Sequence, residues 1–304
     1  MKDAIYVFSG QGAQSSGMGK DIYKKSESAR YIYDKADEVL GWSIKDLCFE
    51  GPDEKLTESQ YCQPAIYTTS IACLAAFNEM YDDVRSIGSA GLSLGEFAAL
   101  CAAEVFSFED GLKLVAERGK LMDEACRETN GGMASILGGN IEIINSVCKE
   151  CDIDVANFNC PGQIVISGEK EKVKKAVVML KEQGIKRVIP LKVAGAFHSR
   201  LMQGAADKFK VVLDEVKFKM PVIKTAQNYT GGLVKSPEEI KENLYKQVSG
   251  SVQWDSCVRT LVESTSARRI IEFGPGSVLT GLIKRIKVNV TTYNVNSAES
   301  LKNF

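Results

Sequence analysis

Residues 85–104 read RSIGSAGLSLGEFAALCAAE. Arg85 to Ala90 is a weak strand pattern on its own, and Glu96 to Glu104 is rich in helix formers. Between them Gly91, Leu92, Ser93, Leu94 and Gly95 fit G-x-S-x-G. Strand, sharp turn and helix in that order lift a serine hydroxyl out of the end of a sheet. The stretch predicts a layered α/β core with Ser93 at a strand end. Such a serine serves hydrolases, transferases, or no chemistry at all.

Working outward, Ala4 to Phe8 reads as a short buried strand, and Gly10 to Gly19 as a Gly- and Ser-rich loop after it. Helical patterns cover Asp21 to Leu40, Ala65 to Met80 and Glu109 to Arg127. The middle of the chain reads differently. Strands are expected at Met133–Leu137, Ile153–Asn157, Ile164–Ser167 and Arg187–Val193, with helices at Ile141–Glu150 and Lys170–Gln183. That β-α-β-β-α-β order is the split βαβ, or ferredoxin-like, unit. A helix is expected from about Ser199, then a strand at Ile270–Phe273, a Gly274-Pro275-Gly276 turn, and a helix at Val278–Ile286.

The 304 residues carry 25% charged side chains at a net charge of −1, so no global field favours nucleic acid. Nine scattered cysteines suit a reducing cytosol better than a disulfide framework. The opening MKDAIYVFSGQG has too short an apolar run for a signal peptide, and no run approaches a membrane span. A cytoplasmic protein is expected, with no membrane or nucleic-acid partner. The lone C-x-x-C of Cys148 and Cys151 has no nearby histidine and is a poor zinc set, so no metal site is expected. The loop at Gly10 and Gly12 begins G-x-G-x-x-G, but Ser15 takes the third glycine position, which disfavours a dinucleotide site. It suits instead the supply of a backbone N–H to an oxyanion.

A serine hydroxyl needs a neighbouring base. His198 is the chain's one histidine, so an imidazole base has no other candidate. A helix opening at Ser199 would disfavour its imidazolium, leaving the neutral form a general base requires. Arg118 has Leu114, Val115, Leu121 and Met122 at −4, −3, +3 and +4, on the apolar stripe of its helix. A buried arginine needs an anionic partner. Spacing leaves two readings open: an internal salt bridge, or a bidentate clamp for a substrate carboxylate. The pairs Lys186-Arg187 and Lys284-Arg285 read as solvated faces or as a dock for an acidic protein.

Seven strings, in order, then point one way: FSGQGAQSSGMGKD (8–21), QPAIYTTS (63–70), GLSLGEFAAL (91–100), ERGKLM (117–122), NFNCPGQIVISG (157–168), GAFHSRLM (195–202) and EFGPGSVLTGLIKRI (272–286). With them the chain resembles malonyl-CoA:acyl-carrier-protein transacylases over nearly its whole length. The resemblance implies an α/β-hydrolase-like core with a parallel sheet at residues 1–126 and 197–304, and an inserted ferredoxin-like subdomain at 127–196. It implies Ser93 as nucleophile, His198 as base, and a backbone carbonyl near Gln247 orienting the imidazole. It further implies the N–H groups of Gln11 and Leu94 as oxyanion hole, and Arg118 as the malonyl clamp. Gln63, Asn159 and Phe197 are expected in the same pocket. Malonyl-CoA is the implied substrate and free CoA the product, with no permanently bound cofactor. The implied partner is an acidic, phosphopantetheinylated acyl carrier protein, met by a monomeric enzyme through Lys186, Arg187, Lys284 and Arg285. The rival readings are a trans-acting acyltransferase loading a polyketide synthase carrier, a serine thioesterase, and a carrier-binding scaffold with an inactive site. The chain departs from the family pattern at Leu92, where histidine is usual, and at Arg200, where proline or a small residue is common.

Overall fold

The computed structural model describes residues 1–304. Nine strands form two sheets: β1 (Lys2–Phe8), β2 (Val84–Gly91), β3 (Gly131–Leu137), β4 (Asp154–Cys160), β5 (Gln163–Glu169), β6 (Arg187–Pro190), β7 (Lys224–Thr225), β8 (Arg269–Phe273) and β9 (Thr291–Val295). The first sheet has the order β7-β2-β1-β8-β9 and every pairing in it is parallel. In β1, Ala4 to Phe8 are buried without interruption, as suits a strand covered by helices on both faces. The second sheet has the order β4-β5-β3-β6 with antiparallel pairings. With the helices Ile141–Cys151 and Lys170–Glu182 it makes the ferredoxin-like unit inside the 127–196 stretch.

The helix Ser59–Met80 runs through the larger core and is buried on every side from Cys62 to Leu74. It packs on the helix Phe108–Glu128. Asp123 of the latter accepts hydrogen bonds from the backbone N–H groups of Ser59 (3.0 Å) and Gln60 (2.8 Å), satisfying free donors at the first helix's N-terminus. A Cβ on Gly119 would collide with the carbonyl of Ser59, so the helices approach this closely only because that position is glycine. The contact brings Gln63 of one helix opposite Arg118 of the other.

Several elements differ from expectation. The single helix expected over Asp21–Leu40 is two, Lys20–Lys25 and Glu27–Leu40. Ser26 interrupts them because its hydroxyl accepts from the Ala29 N–H and caps the second. Strand β6 stops at Pro190, short of Val193, and the freed Leu191, Lys192 and Val193 line a cleft between the two units. The helix expected from Ser199 begins as a 3₁₀ turn at Arg200–Met202 and becomes α-helical only over Gln203–Glu215. Also present are β7 and β9 and the helices Ile44–Glu50, Asp53–Leu56, Pro237–Ser249 and Trp254–Ser264. No helix is long and apolar enough to cross a membrane.

The two units are stitched together beside the cleft. The Phe158 N–H donates to the Val252 carbonyl (2.9 Å), and the Val252 N–H to the Ala156 carbonyl (2.8 Å). Arg200 forms ion pairs with Asp154 (2.8 Å) and Asp152 (2.5 Å). The unusual residue after Ser199 thus fastens the chain just beyond His198 to the smaller unit.

Candidate active site

Ser93 follows the carboxyl end of β2, the edge where parallel α/β sheets bind their ligands. Its backbone is left-handed, with φ of 53°. A Cβ on Gly91 would strike the backbone of Gly95, and one on Gly95 would strike the Phe8 carbonyl of β1. The two glycines of G-x-S-x-G are therefore steric requirements of a turn pressed against the central strand. The chain has four other non-glycine residues at positive φ: Glu104, Asp152, Lys287 and His198. The first three end helices, where this conformation is routine. Ser93 and His198 (φ 55°) have no such reason, and strain held at a paired site is a mark of function.

The pair is joined directly: Ser93 Oγ lies 2.8 Å from His198 Nε2. On the other side of the ring, His198 Nδ1 lies 2.7 Å from the Gln247 carbonyl. A carbonyl can only accept, so Nδ1 carries the proton and Nε2 is left as an acceptor for the serine hydroxyl. Burial, and then the positive charge of Arg118, lower the His198 pKa to about 4. After Ser199 the chain turns through a short 3₁₀ segment that runs straight into the helix Gln203–Glu215. The ring is neutral at pH 7. The chain's one histidine gives a single imidazole resonance, and its NMR titration midpoint is expected near 4; a midpoint at 6.5 would sink this account. The folded pKa is the lower one, so the unfolded chain takes up this proton first. The linked stability is complete above pH 6.5 and is lost as pH falls towards 4, by roughly 3 kcal/mol.

Arg118 is 1% exposed. One Nη donates to Gln63 Oε1 (2.8 Å), and the other to Gln247 Oε1 (2.9 Å) and Ser93 Oγ (3.2 Å). Its Nε has no partner, and no carboxylate comes within salt-bridge distance. The internal salt-bridge reading is thus excluded. Burial lowers the guanidinium pKa to about 10, which leaves it charged at neutral pH. The direct partners of this buried cation are all neutral oxygens, one of them the Ser93 hydroxyl, and the Glu96 carboxylate acts on it only through space.

A cleft of 740 Å³ opens over the serine, lined by Gln11, Leu92, Ser93, Asn159, Phe197 and His198 among others. Neither the Gln11 N–H nor the Leu94 N–H has an acceptor within the protein; Gln11 lines the cleft with Ser93, and Leu94 follows Ser93 in the chain. Asn159 Oδ1 is buried and unpartnered, and Phe197 is 8% exposed. Gln63 and Arg118 lie together behind the cleft wall, both buried and bonded to each other. Leu92 is half-buried on the wall and puts an apolar surface beside Ser93.

Residues 5–300 match the family described as the acyl transferase domain. The chain belongs to that family. This acyl transferase is 39% identical to the malonyl CoA-acyl carrier protein transacylase of Bacillus subtilis (strain 168), over 99% of the chain and 96% of the relative. It is 41% identical to a polyketide biosynthesis malonyl CoA-acyl carrier protein transacylase of the same organism, over 93% and 96%. Among solved structures it superposes with a TM-score of 0.94 on a malonyl CoA-acyl carrier protein transacylase from Clostridium perfringens, 37% identical, covering 100% of this chain and 96% of that one. The same TM-score and identity, with 100% and 98% coverage, relate it to a malonyl-transacylase in complex with its type II PKS acyl-carrier protein.

Three residues of this acyl transferase's site carry no signal in the sequence: Glu96, Gln227 and Asn228. Glu96, fully buried, accepts from Gln227 Nε2 (2.9 Å), the Asn228 N–H (2.7 Å) and Gln247 Nε2 (3.1 Å). Asn228 Oδ1 in turn accepts from the Ser93 N–H (2.5 Å), and Asn228 Nδ2 donates to the Gly91 carbonyl (2.8 Å), bracing both sides of the elbow. Burial pushes the Glu96 pKa up to about 7, opposed by those hydrogen bonds and by Arg118. An acid at the start of a helix looks like a dipole partner, which hides Glu96.

Proposed function

We propose that this enzyme moves a malonyl group from malonyl-CoA to the phosphopantetheine thiol of an acyl carrier protein, in the service of fatty acid synthesis, by way of a malonyl-serine ester. The observation that carries the reading is Arg118: a buried guanidinium without a carboxylate partner, 3.2 Å from the Ser93 hydroxyl that itself hydrogen-bonds His198. Hydrolysis needs no such cation, whereas a free carboxylate on the acyl group does. The relatives' names support the same substrate and carrier.

The chemistry follows from the contacts. Ser93 Oγ attacks the thioester carbonyl as His198 Nε2 takes its proton. The new oxyanion accepts from the Gln11 and Leu94 N–H groups, each worth roughly 10²–10³ in rate at comparable sites. His198 returns the proton to the departing CoA sulfur. The carrier's thiol then attacks the ester, giving its proton to His198, and Ser93 leaves by recovering it. The backbone carbonyl of Gln247 holds the ring through both halves, the task an aspartate performs in a triad. Transfer from malonyl-CoA and acetyl-CoA to a holo carrier, with trapped acyl-enzyme read by mass spectrometry, tests the route. A serine ester that hydrolyses as fast as it forms rejects it in favour of a thioesterase.

A polyketide carrier is the second reading, favoured by the 41% identical relative named for polyketide biosynthesis. Competing the two kinds of carrier for one malonyl-enzyme separates them.

We place carrier docking on the basic residues at one edge of the cleft. Arg285 Nη1 donates to Gln163 Oε1 (2.7 Å), and Gln163 lines the cleft. The register Gln163↔Leu137↔Arg187 sets Arg187 two strands away, about 10 Å. Lys186, Arg187, Lys284 and Arg285 are all exposed. Reversing these charges to glutamate is expected to lower kcat/KM for the carrier by about tenfold at low salt, with the acylation half-reaction from malonyl-CoA untouched. Unchanged carrier affinity at low salt removes these residues from the dock.

A further inference from the structure

Gln247 touches every working part of the site. Its backbone carbonyl accepts from His198 Nδ1, its Oε1 from Arg118, and its Nε2 donates to the Ser93 carbonyl (3.0 Å) and to Glu96 Oε2 (3.1 Å). A primary amide can sit either way round. Turned by half a rotation, this one would set its NH₂ against the Arg118 guanidinium, donor against donor. Its oxygen would face the Glu96 carboxylate and the Ser93 carbonyl, acceptor against acceptors. The carboxylate, with the Ser93 carbonyl, therefore sets which way the amide points, and the amide oxygen, with Gln63, sets where the guanidinium rests.

We propose that Glu96 is the positioning residue for malonyl selectivity: its carboxylate fixes the Gln247 amide, and that amide holds Arg118 against Ser93. The Glu96 carboxylate makes no hydrogen bond to Ser93 or His198; only its backbone N–H reaches the Ser93 carbonyl (3.1 Å), and the carboxylate acts through others. Both its oxygens are engaged only as acceptors, Oε1 by Gln227 and Oε2 by Asn228 and Gln247, which is the pattern of an ionised group. Gln227 is fixed from behind, its Oε1 accepting from Asn243 (2.9 Å) and its Nε2 also donating to the Ile240 carbonyl (3.2 Å). Asn243 and Gln247 lie one turn apart on the helix Pro237–Ser249, so that helix grips the carboxylate's partners at two points. The arrangement couples the acid of the G-x-S-x-G-E string to the acyl group accepted, with no contact to the acyl group itself.

The inference rests on the clamp reading of Arg118, and the test separates the two. Glu96→Gln keeps shape and removes the charge. Its malonyl-to-acetyl ratio of kcat/KM is expected to fall by about tenfold, the effect of one lost charge-assisted hydrogen bond. Glu96→Asp withdraws the carboxylate from Gln247 by one methylene and carries the same expectation. Because Glu96 acts through the amide, Glu96→Gln is expected to leave the ratio unchanged in a Gln247→Leu background, where the His198 acceptor, a backbone carbonyl, survives. A merely structural Glu96 would lower malonyl and acetyl transfer in equal proportion, and that result overturns the proposal. So does a Glu96→Gln effect of equal size with and without the Gln247 amide. If Arg118→Ala itself leaves the ratio intact, the clamp reading falls; if Arg118→Ala collapses it and Glu96→Gln does not, the positioning role of Glu96 falls alone.

Discussion

Ser93→Ala is expected to lower transfer by on the order of 10⁴–10⁶ in kcat/KM and to give no acyl-enzyme when incubated with malonyl-CoA. In the proposed route the hydroxyl forms the ester, and it is the group hydrogen-bonded to His198 Nε2, at 2.8 Å. What remains is catalysis by binding and by the free N–H groups of Gln11 and Leu94. The fold should not register the change. The Ser93 N–H still donates to Asn228, and its carbonyl still accepts from Gln247, because both contacts are made by the backbone. Intact-protein mass spectrometry after brief exposure to malonyl-CoA reads the result. A malonylated Ser93→Ala protein, or transfer above about one per cent of wild type, would place the nucleophile elsewhere.

Arg118→Ala is expected to erase the preference for malonyl. A bound carboxylate would gain two charge-assisted hydrogen bonds from the guanidinium in a site shielded from water, together about 3 kcal/mol or more, so the malonyl-to-acetyl ratio should fall by at least ~10²-fold. Acetyl transfer has no carboxylate to lose. Removing the side chain also strips Gln63 Oε1 and Gln247 Oε1 of a donor. Arg118→Met is the companion variant: it fills the volume and so avoids the cavity, while leaving the same two oxygens without a donor. Thermal melts of both variants separate loss of the fold from loss of the clamp. An unchanged ratio in a folded variant would mean that Arg118 does not meet the substrate.

These two residues are legible in the amino-acid sequence to different degrees. Ser93 is readable because the constraint on it is local: glycines two residues to either side are needed wherever a strand turns this sharply into a helix. Arg118 is readable as buried because helical periodicity places it on an apolar stripe. Periodicity says nothing of what lies opposite, so the salt bridge and the clamp both stay open until the tertiary structure shows no carboxylate within salt-bridge distance of the guanidinium. His198 is found by elimination. A helix end is the one cause of its neutrality that the string suggests; burial, the largest cause, and Arg118 are visible only in the tertiary structure. The roles of Gln11, Leu94 and Gln247 come only through resemblance, since backbone N–H and C=O groups are the same at every residue.

Glu96, Gln227 and Asn228 show the limit most plainly. Each is an ordinary polar residue in a stretch where polar residues are ordinary, and none repeats with a period. Gln227 and Asn228 are more than 130 positions from Glu96. The strands β7 and β9 are hidden for a related reason: at two and five residues, on the edges of the sheet, they carry too little pattern to stand out.

By itself, then, the sequence determined what depends on near neighbours: the elbow, the buried arginine, and the β-α-β-β-α-β order of the smaller unit. Hydrophobic period and glycine sterics act over a few residues and leave their mark in the string. The tertiary structure alone decided which polar groups meet. It set the direction of the Gln247 amide, the acceptor behind His198, the carboxylate that braces the serine, and the lack of one beside Arg118. Those are matters of ångströms between distant segments, and in a buried site a hydrogen bond made or missed at that distance decides what a side chain can do.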